Sequence, residues 1–175
     1  METGNIIAVY NDDKRIALNE FDALMRKTND YMNKIATLSD RFRGCDAKQL
    51  EKETLAAIRE QCTNTSFNPS DIELVSGQRF PDIVAGQHFG VEVKSTKENK
   101  WVSTGSSIVE STRVDDVGSI YMLFGKLGGI PAEFRCKPYQ NCLYDIAVTH
   151  SPRYLIDMNA VSYTHLRAHE TLRHL

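Results

Sequence analysis

From Leu18 to Phe42 the apolar residues Leu18, Phe21, Leu24, Met25, Met32, Ile35 and Leu38 recur mostly at spacings of three and four, which is the stripe of an amphipathic helix. Gly44 is placed to end it. A second helix is expected from about Ala47 to Cys62. Asp46, with Gln49 three residues on, makes a capping-box start, and Leu50, Leu55 and Ile58 fall on one side. The polar run TNTSFNPSD then breaks the helical period.

From Ile72 the texture changes to short β-rich runs, IELVS, PDIVA, GVEVKS, SIYMLFGKL and LYDIAVTH, with Gly, Asn and Ser between them. Between the third and fourth runs, SSIVESTRVDDV predicts a helix, with STGSS at 103–107 as the turn before it. Two helices, three strands, a helix and two strands predict an α/β or α+β fold. In it a hairpin would lead through a helical crossover to another strand. One domain is expected over residues 1–158, helical in 1–62 and sheet-rich in 70–158.

The stretch RFPDIVAGQHFGVEVKST reads as a hairpin turning at Gly86, Gln87 and His88. This register pairs Ala85 with Phe89, Val84 with Gly90, Ile83 with Val91 and Asp82 with Glu92. One face then carries Ile83, Ala85, Phe89, Val91 and Val93, a core face. The other carries Asp82, Val84, Gly90, Glu92 and Lys94, with open space expected beside Gly90. Two opposed carboxylates, with Cβ atoms about 5 Å apart, repel each other. A hard divalent cation offsets that repulsion directly, because Mg²⁺ is bound through one or two carboxylates plus water and phosphate oxygens. Lys94, two residues past Glu92, can reach a metal-bound water or a phosphoryl group. The bland alternative for Glu92 and Lys94 is a solvated strand face.

Pro81-Asp82, nine intervening residues and Glu92-Val93-Lys94 resemble the PD-(D/E)xK nuclease superfamily, which includes many type II restriction endonucleases. The segments STKENKWVSTGSSIVESTR, YMLFGKLG and VTHSPRYLIDM look restriction-endonuclease-like as well, so the resemblance covers about Ser70 to Met158. It implies a mixed central sheet flanked by helices and a Mg²⁺-dependent endodeoxyribonuclease acting on double-stranded DNA, with Mn²⁺ able to substitute. Asp82 and Glu92 would bind the metal, Val93 would add a main-chain oxygen, and Lys94 would assist the attacking water. Glu53 or Glu60 would be the candidates for a further acid from an upstream helix. The alternatives are a non-catalytic DNA-binding module on the same fold, or a repair or junction-resolving nuclease. Cutting both strands of a symmetric site would call for a homodimer.

Lys97, Lys100 and Trp101 are candidate DNA contacts, each weighed against a solvated loop with one packed tryptophan. Glu110, Arg113, Asp115 and Asp116 read as a helix face or its end. His150 reads as a structural histidine, with Arg153 and Tyr154 near it in sequence. Cys136 and Cys142 lack the partners of a zinc site.

Composition changes this picture little. A formal charge of −2 and a pI near 6.2 give no global signature of a nucleic-acid binder, so affinity for phosphate must come from a local patch. Four scattered cysteines, no apolar leader and no run near the roughly 18 apolar residues of a membrane span predict a reduced, cytoplasmic protein. The terminal VSYTHLRAHETLRHL resembles the translation of a cloning or sequencing adaptor. Residues 159–175 are therefore expected to be a non-native tail on a chain that naturally continues past about Met158. His169 and His174 would stand about 140° apart on a helix, so no zinc site is expected there.

Overall fold

The computed structural model describes residues 12–77, 79–107, 114–148 and 151–161. Two helices, α1 (Asp12–Leu38) and α2 (Ala47–Gln61), precede the strands β1 (Ile72–Leu74), β2 (Ile83–Ala85), β3 (Phe89–Thr96), β4 (Val102–Ser107), β5 (Ser119–Lys126), β6 (Glu133–Pro138), β7 (Leu143–Ala147) and β8 (Arg153–Asp157). The fold is mixed α and β, as the periodicities predict. A five-stranded sheet runs β1-β2-β3-β5-β6, and a separate three-stranded sheet runs β4-β8-β7. Only β3 and β5 pair in parallel within the larger sheet; its other neighbours are antiparallel.

Capping chemistry sets the start of α2. The Asp46 carboxylate accepts from the Gln49 amide at 2.8 Å, while the Gln49 side chain accepts from the Asp46 amide at 2.9 Å. Two donors at the helix N-terminus are thereby satisfied, an arrangement worth about 1 kcal/mol. The α1 stripe buries Phe21, Leu24, Met25 and Met32, but the helix stops at Leu38, and both Leu18 and Leu38 are exposed. Phe42 leaves the helix and still reaches the core from the following turn, where its ring meets Phe134 edge-on.

Both helices cover the same face of the central sheet. Phe21, Leu50, Ile58, Ile83, Val91, Val93, Tyr121 and Leu123 form one buried cluster there. On the opposite face Met122 and Phe124 pack with Trp101, Cys142, Ile156 and Met158, so the second sheet and its flanking turns cover that side. The central sheet is thus layered between helices and strands, where helices were expected to flank it.

The expected helical crossover is replaced in its first part by a strand. Ser103–Ser107 belong to β4, and Asp115 and Asp116 lie in a turn, with Asp116 at φ 65°. Residues 108–113, including Glu110 and Arg113, lie outside the described residues, as do His150 and residues 162–175. Among the described residues no helix is long and apolar enough to cross a membrane.

Candidate active site

The hairpin forms in the predicted register, with Ile83 opposite Val91, Val84 opposite Gly90 and Ala85 opposite Phe89. The turn occupies residues 86–88, and Gly86 takes φ +60°, a conformation that costs glycine nothing. Ile83, Ala85, Val91 and Val93 are buried on the helix side, as alternation requires. The space expected beside Gly90 is filled. A Cβ at residue 90 would collide with Cγ of Pro81 and meet Cγ1 of Val117 at 3.0 Å. The absence of a side chain at Gly90 lets the Pro81 ring lie against β3, which brings the next residue, Asp82, to the strand.

The β2 ladder ends at Ile83, so the Val93 amide has no strand partner on that side. The Asp82 carboxylate takes it, accepting from Val93 N–H at 2.8 Å. On its other side the Asp82 carbonyl accepts from Val75 N–H at 2.8 Å. Asp82 is therefore held between the segment after β1 and the middle of β3.

Glu92 is 3% exposed, which rules out a solvated strand face. Its carboxyl lies close enough to the Asp82 carboxyl for each to bear on the other's protonation, and two acids so placed favour a single proton between them. Burial, and after it the neighbouring Asp82, pushes the Glu92 pKa up to about 7, while Lys94 pulls the other way. Burial likewise raises Asp82, against the opposing effects of the Val93 amide and Lys94. Lys94 Nζ stands 3.3 Å from Glu92 Oε1. One ammonium thus faces two carboxyls, and a proton makes up the balance.

The upstream acid near this pair is Glu51 of α2, in place of the expected Glu53 or Glu60. The Glu51 pKa is raised by burial first and by Asp82 second, and lowered by Lys94 and Lys48, so its field is coupled to the site. Glu53 instead pairs with Arg41 at 2.7 Å, and Glu60 accepts from the Tyr31 hydroxyl at 2.6 Å. On the sheet's other face Tyr139 stands close enough to Glu92 that the carboxylate, after burial, raises its phenol pKa. Its ring also contacts Phe80, with centroids 5.1 Å apart.

The donor set fits a hard divalent cation. Two carboxyls that share a proton are oxygen donors already brought together, and one or two carboxylates are what Mg²⁺ takes from a protein when substrate and water supply the rest. Among the described residues no group of three or more His, Cys, Asp or Glu is placed to hold a metal ion, so the protein would supply the two carboxyls of this pair. Glu51→Gln is expected to lower Mn²⁺ affinity by about tenfold by removing negative field beside Asp82, whereas Glu53→Gln leaves it unchanged. Titration calorimetry of the two variants checks this.

Comparison of the chain with known proteins finds no matching family model, curated protein or solved structure. The chemistry of the site rests on its own residues.

The remaining candidates divide. Trp101 is not free to stack on a base, because it is packed in the second cluster between the Arg135 guanidinium, 4.2 Å from its ring centre, and Lys126 Nζ, at 4.8 Å. Lys97 and Lys100 are exposed, and Lys100 pairs with Glu98 at 2.7 Å. Cys136 and Cys142 are free thiols whose pKa values are raised chiefly by burial. Arg153 and Tyr154 lie on β8.

Proposed function

We propose that this chain is a Mg²⁺-dependent endodeoxyribonuclease of the type II restriction kind, hydrolysing phosphodiester bonds of double-stranded DNA. The observation that carries the reading is the Asp82 carboxyl, held by the Val93 amide close to a nearly inaccessible Glu92 that pairs with Lys94. A purely structural strand gains little from burying two acids against each other, since the arrangement costs stability.

Asp82 and Glu92 would hold the cation, with the Val93 carbonyl as a main-chain donor. When bound, the cation supplies Lewis-acid stabilisation of phosphoryl oxygens and lowers the pKa of a water. Lys94 keeps its ammonium at the edge of the pair, where it stabilises charge developing on the phosphoryl group. The carboxyl pair gives up its shared proton when the site is loaded, and Glu51 adds negative field from the helix side. The rigid sheet presents these groups from neighbouring strands, which fixes their spacing before substrate arrives.

Incubation of supercoiled plasmid and mixed-sequence linear DNA with the protein and Mg²⁺ tests the reading. Discrete fragments that vanish with EDTA are expected. Intact DNA after prolonged incubation with folded protein, in Mg²⁺ and in Mn²⁺, would favour a binding module that keeps this fold.

A further inference from the structure

Beyond the catalytic trio, the same face of β3 continues to Thr96, and there the surface opens into a cleft of about 370 Å³ between the end of β3 and the strands β4, β8 and β7. Its walls include Thr96, Lys100, Ser103, Thr104, Tyr144 and Leu155. The cleft lies on the sheet face that carries the acids. Met122 and Phe124 are register partners of Glu92 and Lys94, and they pack in one cluster with Ile156, which also lines the cleft. Lys94 and Thr96 are two strand residues apart, roughly 7 Å.

The lining combines three chemistries. Tyr144 is 46% exposed, so a large aromatic face is left at the wall with no core to bury it. Thr96, Ser103 and Thr104 add polar groups to the wall, and the exposed Lys100 ammonium pairs with Glu98 at 2.7 Å. An aromatic face, polar wall groups and one exposed ammonium match, in that order, a base, a sugar with its polar edge, and a phosphate. The exposed ion pair is weak enough for a phosphate to compete for Lys100. The cleft is large enough for one nucleotide, and a base stacked between its neighbours in a duplex has no free face to offer Tyr144.

We propose that this cleft takes one unpaired nucleotide of the substrate strand, next to the phosphate that is cut, with its base stacked on Tyr144. The proposal rests on the nuclease reading of the neighbouring acids. Accordingly, the substrate would carry a bulged, frayed or extruded nucleotide beside the scissile bond, and opening the duplex at that point becomes part of recognition.

The test is fluorescence anisotropy of the full chain, in Ca²⁺ buffer, with a labelled duplex containing one bulged nucleotide and with the same duplex fully paired. The wild type is expected to prefer the bulged duplex by about tenfold. Tyr144→Ala should abolish the preference, Tyr144→Phe should retain it, and Lys100→Ala should lower the salt slope of binding by about one. Plasmid cleavage is measured in parallel. Cleavage by a wild type that binds both duplexes equally, or a preference that survives in Tyr144→Ala, would overturn the cleft and leave the nuclease reading standing. A wild type that neither cleaves nor binds DNA would remove both.

Discussion

Asp82→Asn is expected to lower the DNA cleavage rate by about 10³-fold or more while leaving the protein folded. The substitution keeps a side-chain oxygen for the Val93 amide but removes one of the two charges that would hold the cation. Loss of several kcal/mol of electrostatic stabilisation of the transition state corresponds to a factor of that order. Lys94→Ala should cost about 10² to 10³ by removing the ammonium 3.3 Å from Glu92. The two variants should differ in metal binding. Asp82→Asn weakens it, whereas Lys94→Ala preserves or strengthens it by removing a competing cation. Single-turnover cleavage with saturating Mg²⁺, alongside Mn²⁺ binding, separates the two effects. Either variant retaining more than about a tenth of the wild-type rate would count against the assigned site.

Glu92→Gln is expected to stabilise the metal-free protein at pH 8. The carboxyl titrates near 4.5 in an exposed reference state and near 7 in the fold. Between these values the native state holds a proton that the unfolded chain has released, so stability falls as pH rises through the window and is flat above it. Below about 4.5 both states are protonated and no penalty applies. The full penalty above pH 7 is on the order of 3 kcal/mol, and the raised Asp82 and Glu51 carboxyls act in the same direction. The substitution should raise the Tm in EDTA at pH 8 by about 5–10 °C and leave it nearly unchanged at pH 4.5. Mg²⁺ should shrink the same falling limb in the wild type by taking the place of the shared proton. Thermal scans across this range check both. A Tm that falls on substitution at pH 8 would mean that the Glu92 charge stabilises the fold.

The hairpin was legible because three independent signals agree. Apolar and charged residues alternate from Val91 to Lys94, a glycine sits where the turn takes positive φ, and Ile83, Ala85, Val91 and Val93 share one buried face in the register found. The start of α2 was legible from Asp46 and Gln49 for a similar reason, since capping is local.

Glu51 was not legible. The buried stripe of α2 is Leu50, Thr54, Ala57 and Ile58; at roughly 100° per residue Glu51 flanks it on one side, and Glu53 and Glu60 flank it on the other. Which flank turns toward the hairpin depends on how the helix lies across the sheet, and periodicity carries no information about that.

The missed strands have polar sequences for a physical reason. In β6 the charged residues Glu133, Arg135 and Lys137 alternate with Phe134 and Cys136, as suits a strand at the edge of its sheet. In β4 the run VSTGSS looks like a turn because it holds a glycine among small hydroxyl residues. Gly105 in fact lets the strand approach Ile156, where an added Cβ would lie 3.1 Å from the isoleucine Cδ1. The helix expected next was drawn from Ser106 and Ser107, which the β4–β8 pairing claims. Pairing with a strand 46 residues later is invisible in a local window.

Calorimetric titration of Mn²⁺ at pH 7, in two buffers of different ionisation enthalpy, asks whether the Asp82–Glu92 pair is a site for a divalent cation. Binding accompanied by proton release is expected, with both the heat and the released proton lost in Asp82→Asn and Glu92→Gln. Binding of equal strength in those two variants, or no binding by the folded wild type, would contradict it.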